Sequence, residues 1–174
     1  MRSTLAVASI TFLSRITGLL RETTHAHFLG TGLGSDAFRV ALLIPNIFRR
    51  LAGEGAIASA FVPIFTRHVR REDPASVRVF AEKFFTLWAA GLAVLTLAGM
   101  ATAGWGILAL GRMGAAWSPE KLELTVSLTR WLFPYLFLIG LSAVAGGILN
   151  AFGVFALPSA TPLLYNLAFV AAGY

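Results

Sequence analysis

Residues 131–174 read WLFPYLFLIGLSAVAGGILNAFGVFALPSATPLLYNLAFVAAGY and carry no charged side chain. A helix needs roughly 20 apolar residues to cross the hydrocarbon core of a bilayer, so this run is long enough for two crossings. A second uncharged run, residues 84–110, is long enough for one more. These runs predict membrane-spanning helices.

The composition of the whole chain agrees with that prediction. Hydrophobic residues make up 57% of the sequence, charged residues only 13%, and the mean hydropathy is +0.76. A soluble domain usually has about a quarter of its residues charged. The net charge is +6. The basic residues lie within apolar stretches and one loop rather than in a surface patch interleaved with aromatic residues, which argues against a nucleic-acid partner. Without cysteine, the chain has no disulfides and no thiolate metal sites.

The pattern predicts an all-α, polytopic transmembrane bundle that forms a single domain over residues 1–174. Ser35 or Asp36 is a candidate cap for the second helix, and Ser118 with Pro119 is typical of the start of the fourth. The loop Thr66–Lys83 is the most basic connection, so the positive-inside rule places it, and with it the N-terminus, in the cytoplasm. Five helices are expected, at residues 3–29, 36–66, 80–110, 119–151 and 156–174.

The second predicted helix contains residues that interrupt helices. Pro45 removes a backbone donor, and Gly53 and Gly55 flank Glu54. Broken helices are tolerated at membrane depth only where they meet protein or a water-filled cavity. We therefore expect this helix to line the interior, with Pro45, Gly53 and Gly55 as its hinge.

Five arginines lie in or beside the first two predicted helices. Charge at membrane depth is costly and usually marks a cavity, a partner or a substrate. The planar guanidinium stays protonated and matches phosphate or carboxylate oxygens in pairs, which predicts an anion-binding cavity. The alternative is a set of internal ion pairs with nearby carboxylates, such as Arg50 with Glu54. The arginines are Arg15, Arg21, Arg39, Arg49 and Arg50, and the carboxylates are Glu22, Asp36 and Glu54.

Other polar residues do not form a recognisable catalytic set. Ser14 has no accompanying base, and His25 and His27 have no further ligand at a telling spacing. We therefore expect neither catalytic residues nor a metal or cofactor. Asn166 and Tyr165 lie in uncharged surroundings, where hydrogen bonds between helices are the plain interpretation and a cavity role is the alternative.

Several motifs are spaced along the chain. They are residues 14–22 (SRITGLLRE), 35–38 (SDAF), 42–46 (LLIPN), Arg49-Arg50, 54–56 (EGA), 60–63 (AFVP), 133–135 (FPY), 147–150 (GILN) and Pro158, Ala160, Pro162 and Asn166. Together these motifs resemble the MurJ (MviN) lipid II flippase family of the multidrug/oligosaccharidyl-lipid/polysaccharide exporter superfamily. Two positions depart from the family pattern, where Glu22 replaces a frequent aspartate and Leu43 replaces a frequent lysine.

The resemblance implies a multi-pass protein of the bacterial inner membrane that moves a lipid-linked peptidoglycan precursor to the outer leaflet by alternating access. Its partners would be lipid II, membrane lipid and proteins of cell-wall synthesis. The arginines on the first two helices would contact the pyrophosphate or peptide carboxylates. Carried onto this chain, the substrate-binding set is Arg15, Arg21, Arg49, Asp36, Glu54 and Ser14, with Arg50, Asn46 and Asn166 as secondary cavity residues.

Such flippases have two helical lobes, of which five helices supply part of one. Because alternating access needs two halves that move against each other, we expect this chain to be an incomplete N-terminal portion, inactive alone. Two alternatives remain open. One is another exporter of the superfamily that carries a lipid-linked oligosaccharide, and the other is a non-transporting membrane scaffold of a cell-wall complex.

Overall fold

The computed structural model describes residues 2–30, 32–50, 60–114 and 117–173, and in this part of the chain no strand occurs. The predicted all-α class is confirmed. Two of the helices, α4 and α5, are long and apolar enough to cross a membrane. The helices are α1 (Arg2–Leu29), α2 (Leu33–Arg49), α3 (Val62–Arg71), α4 (Pro74–Gly114), α5 (Pro119–Ala151) and α6 (Ala156–Gly173).

Helix α4 extends well beyond the membrane. Its 41 residues span about 60 Å, roughly twice the thickness of the hydrocarbon core. Leu87 and Trp105, in its uncharged part, expose 75% and 83% of their surface, as lipid-facing side chains do. The charged first turns around Arg78 therefore lie outside the bilayer.

The predicted loop Thr66–Lys83 is wrong. Helix α3 runs to Arg71 and α4 begins at Pro74, so only Glu72 and Asp73 separate them. Hydrophobicity marks where a helix leaves the hydrocarbon, but the backbone can stay helical in water. Asp73 stabilises the new start, because its carboxylate accepts hydrogen bonds from the backbone N–H groups of Ala75 at 3.1 Å and Ser76 at 3.3 Å.

The second predicted helix, 36–66, corresponds to α2 and α3. Residues 51–59 lie outside the described part, and with them Gly53, Glu54 and Gly55 of the predicted hinge and ion pair. Pro45 lies inside α2 and is fully buried. The predicted cap is wrong, because α2 starts earlier, after Gly32, with no side-chain cap. Asp36 falls instead in the first turn, where its charge favours the positive end of the helix dipole.

Two glycines end helices in the left-handed conformation that other residues rarely adopt. Gly30, with φ +57°, follows α1, and Gly153, with φ +77°, lies between α5 and α6. The N–H of Val154 then donates to the carbonyl of Leu149 at 2.9 Å and closes the end of α5. The tight turn at Gly153 makes α5 and α6 neighbours.

Helix α5 is the centre of the bundle. It packs against α2, α3, α4 and α6, while α1 packs against α6. Its buried residues recur every three or four positions and form one stripe of mostly small or apolar side chains. The stripe consists of Thr125, Thr129, Phe133, Leu136, Gly140, Val144 and Gly147. Because α5 contacts four other helices, it sets the positions of the helices around the site.

A candidate anion-binding pocket between four helices

A pocket of about 490 Å³ lies between α1, α2, α5 and α6. This volume is within the range of about 300–1,000 Å³ that is usual for ligand sites. Among the residues that the structure describes, two arginines and one carboxylate line it, so their charges sum to +1. The lining residues are Arg21, Glu22, Phe38, Arg39, Leu42, Asn46, Tyr135, Ile139, Thr161, Pro162, Tyr165 and Phe169.

Arg21 is held in the pocket from several sides. Its guanidinium donates to Asn166 Oδ1 at 3.3 Å and pairs with the carboxylate of its neighbour Glu22. It also lies 5.6 Å from the centre of the Tyr165 ring, within cation–π range. The side chain is 30% exposed, so part of it remains free to meet a ligand.

Asn166 joins α6 to α1. The residue is 6% exposed, and its Nδ2 donates to the Ser14 carbonyl at 3.0 Å and to Thr17 Oγ1 at 3.4 Å. Its Oδ1 accepts from Arg21. Both ends of the amide are therefore used, and the side chain fixes α1 beside α6 with Arg21 facing the pocket. The prediction of inter-helix hydrogen bonding at Asn166 is confirmed.

Helix α2 supplies the second arginine. Arg39, Leu42 and Asn46 are spaced three and four residues apart, so they share one helix face. Pro45, next to Asn46, is buried on another face. Arg39 and Arg21 thus reach the same pocket from different helices, which is a suitable arrangement for two oxygen-bearing groups of one ligand.

Aromatic residues form much of the remaining wall. Tyr135 of α5 and Tyr165 of α6 have ring centres 6.1 Å apart, and Phe38 and Phe169 complete the aromatic lining. Rings of this kind exclude water on one side, and charge interactions are stronger where water is scarce. The pocket therefore combines cationic groups with apolar walls.

The other predicted site residues lie elsewhere. Arg15 is exposed on α1 and does not line the pocket, while Ser14 contributes its carbonyl to Asn166. Asp36 forms an ion pair with Lys121 at 3.2 Å, between the starts of α2 and α5. Arg50, just after α2, is exposed. The Glu54 position and the side chain of Arg49 lie outside what the structure describes.

Arg39 and Tyr135 line the pocket but lie outside the predicted substrate-binding set. Arg39 is one of the five arginines of the first two helices, and its seven-residue spacing from Asn46 would have placed both on one face. Tyr135 stands in the sequence only as part of the FPY motif. Away from the pocket, the pairing of Lys121 with Asp36 gives no sequence clue, because the two residues are 85 positions apart.

Comparison with known proteins places this architecture in a family. The family described as lipid II flippase MurJ matches residues 25–174. A lipid II flippase MurJ of Burkholderia cenocepacia is 40% identical over 171 residues, covering 98% of this chain and 33% of the relative. Probable lipid II flippases MurJ of Treponema pallidum and Vibrio cholerae are 36% and 34% identical, over 100% and 98% of this chain. The chain spans about a third of the length of these relatives. It belongs to the lipid II flippase MurJ family of membrane proteins.

Proposed function

We propose that this chain forms part of a lipid II flippase of the bacterial inner membrane, with its N-terminus in the cytoplasm, and that its pocket receives the pyrophosphate of the substrate. The observation that carries the proposal is the meeting of Arg21 and Arg39, from two helices, in one pocket with aromatic walls. The names of the relatives supply the substrate, and the pocket supplies chemistry suited to it.

The guanidinium groups are suited to bind the two phosphates of the headgroup. Each can donate two parallel N–H groups to phosphate oxygens, and these charge-assisted bonds are stronger than neutral ones. Arg21 keeps its bond to Asn166, which leaves other N–H groups for the ligand. Asn46 adds a polar side chain to the same wall as Arg39.

The remaining predicted residues have other proposed roles. Arg15 on α1 and Arg50 just after α2 add exposed positive charge, which a peptide carboxylate or a second position of the headgroup would meet. Arg49 stays in the proposed substrate-binding set from the family resemblance. Asp36 holds α2 against α5 through Lys121. Glu54 and Ser14 stay in the proposed substrate-binding set from the family resemblance.

Transport by this route breaks no covalent bond. The polyprenyl tail stays in the lipid while the polar headgroup crosses inside the protein. Two halves of a complete flippase would expose the pocket to each side in turn. The affinity of the pocket for the headgroup then supplies recognition, and the change between the two states supplies movement.

Editing the encoding gene in its own bacterium tests the proposal. Arg21→Ala and Arg39→Ala should each block growth and leave lipid II on the cytoplasmic side of the membrane, detected by its accessibility to an added modifying enzyme. Arg130→Ala is the matched control, because Arg130 is an exposed arginine away from the pocket. Membrane abundance of each variant would be measured by immunoblot.

A binding experiment separates headgroup recognition from the whole cycle. The purified chain should retain undecaprenyl pyrophosphate and not undecaprenol, and Arg39→Ala should weaken that preference at least tenfold. If both arginine variants keep normal growth and normal lipid II translocation, the transport role of the pocket is wrong and a scaffold role would take its place. Equal binding of the phosphorylated and unphosphorylated lipids would contradict pyrophosphate recognition.

A further inference from the structure

The outer face of α3 carries an arginine stripe that the pocket does not use. Arg70 and Arg71 follow Arg67 by three and four residues, so both lie beside it on one side of the helix, and all three are exposed. Ile64, one turn earlier on the neighbouring part of this face, is 53% exposed. The outer face of α3 therefore changes from apolar to basic within about one helical turn.

The inner face of α3 fixes which way the stripe points. Phe65 and Phe61 are almost fully buried, and the Phe61 ring stacks on Phe84 of α4 at 4.1 Å. Val69 packs against the same cluster, to which Val144 of α5 also belongs. Because α3 is held by this apolar face, Arg67, Arg70 and Arg71 point away from the bundle.

Two of the nearby carboxylates are committed elsewhere. Asp73 caps the start of α4, and Glu82 accepts from Arg78 Nε at 2.7 Å. Glu72 follows Arg71 directly and is exposed, but among the residues whose positions the structure gives, none of the stripe arginines makes an ion pair. Three guanidinium groups beside one exposed carboxylate leave a surplus of positive charge on this short face, which favours anions.

The position of the arginine stripe along the membrane normal indicates which anions it meets. Phe84 is the first residue of the uncharged part of α4, and Phe61 stacks on it. Arg67 and Arg71 lie about 9 Å and 15 Å farther along α3 than Phe61. The headgroup layer begins at the edge of the hydrocarbon core and is roughly 6 Å thick on each side, so the Arg67 side chain can bend into it, while Arg70 and Arg71 lie at its outer edge.

We propose that the outer face of α3 is a docking surface for acidic phospholipid headgroups, with Arg67, Arg70 and Arg71 binding their phosphates and Ile64 in contact with the acyl chains. Arginine suits this role because its fork pairs with phosphate oxygens. The surface holds the α3–α4 hairpin at the membrane boundary. It is separate from the pocket, whose lining comes from α1, α2, α5 and α6.

The test uses the purified chain in neutral detergent, offered equal amounts of phosphatidylglycerol and phosphatidylcholine, with bound lipids counted by native mass spectrometry. The unmodified chain should select phosphatidylglycerol. A basic residue near an anionic surface contributes about fivefold in affinity, so Arg67→Gln/Arg70→Gln/Arg71→Gln should lower the preference by about 100-fold and each single change by about fivefold. Circular dichroism would establish that the variants keep their helices.

Two controls sharpen the result. Arg130→Gln removes an exposed arginine on α5 and should leave the preference unchanged. The triple lysine variant, which keeps the charge and loses the fork, should fall between the unmodified chain and the glutamine variant. The proposal is overturned if the folded triple glutamine variant selects phosphatidylglycerol as well as the unmodified chain does. It is also overturned if 10 mM inorganic phosphate removes the bound lipid, since the surface would then be a site for free anions.

Discussion

Replacing Gly140 by alanine would place a methyl group where the side chain of Leu92 now lies. Gly140 is buried on the central stripe of α5, and Leu92 of α4 is 3% exposed. A Cβ on Gly140 would lie 2.5 Å from Leu92 Cδ1, 3.0 Å from Cδ2 and 3.3 Å from Cγ. Both methyl groups and the branch point are too close, so Leu92 or a whole helix must move.

The magnitude follows from these distances. Carbon atoms attract best at about 3.5–4.0 Å, so Leu92 Cδ1 must retreat by about 1 Å or more. Inserting a methyl group into a packed core typically costs about 1–3 kcal/mol. Gly→Ala in a helix recovers up to about 1 kcal/mol through backbone entropy. The matched control Gly146→Ala, on the same helix, gains this term too, but its Cβ would meet Pro158 at an ordinary 3.5 Å. We therefore expect Gly140→Ala to be about 1–3 kcal/mol less stable than Gly146→Ala.

The assay is unfolding of the purified chain in mixed micelles by increasing the fraction of denaturing detergent, followed by circular dichroism. A Leu92→Ala background provides a double-mutant cycle, because removing Cγ and both methyl groups should abolish most of the extra cost of Gly140→Ala. Equal stability of Gly140→Ala and Gly146→Ala would refute the close approach of α4 and α5. An undiminished cost in the Leu92→Ala background would refute the assignment of the clash to Leu92.

Three further predictions test other contacts. Asn166→Leu should destabilise the chain by about 1–3 kcal/mol in the same unfolding assay, because three polar partners lose the hydrogen bonds of a buried amide. Hydrogen exchange in α1 should become faster, and unchanged exchange there would contradict the link of α1 to α6. The side chains of the ion pair Asp36–Lys121 are 58% and 22% exposed. A double-mutant cycle of Asp36→Asn and Lys121→Met should therefore give a coupling energy of about 0.2–1 kcal/mol, and this energy should fall in high salt. A salt-independent coupling energy would argue against an ionic contact. Gly153→Ala should lower the free energy of unfolding by about 1–2 kcal/mol, because a residue with a side chain is strained at φ +77°. The control Gly32→Ala, at φ −85°, should be nearly neutral. Equal effects of the two changes would contradict the left-handed turn.

Helix content and several helix ends could be predicted from the sequence. Apolar runs such as 84–110 are local properties that survive in any packing, and Ser118 does cap α5, accepting from the N–H of Lys121 at 3.2 Å. The loop prediction 66–83 was wrong for a physical reason. Charge density shows where a chain meets water, and Arg67, Arg70 and Arg71 are good helix formers there as well.

The lining of the pocket could be predicted from the sequence only in part. Arginines near membrane depth directed attention to α1 and α2, and of the arginines in the predicted substrate-binding set Arg21 lines the pocket. Arg15 and Arg21 lie roughly 120° apart around an ideal helix, so only one of them could face a given neighbour. Their sequence context is similar, and nothing local chooses between them. The packing of α1 against α6, through Asn166, makes the choice.

By itself, the sequence determined that the chain enters a membrane, that it does so as helices, and that its motifs are those of the MurJ family. These properties depend on hydrophobicity, turn chemistry and residue spacing over short ranges. Only the tertiary structure decided that Arg21 meets Tyr165, that Arg39 faces the same pocket, and that Asp36 pairs with Lys121. Each of these contacts depends on which faces of distant helices pack together, and that is a collective outcome of the shapes of all the helices around α5.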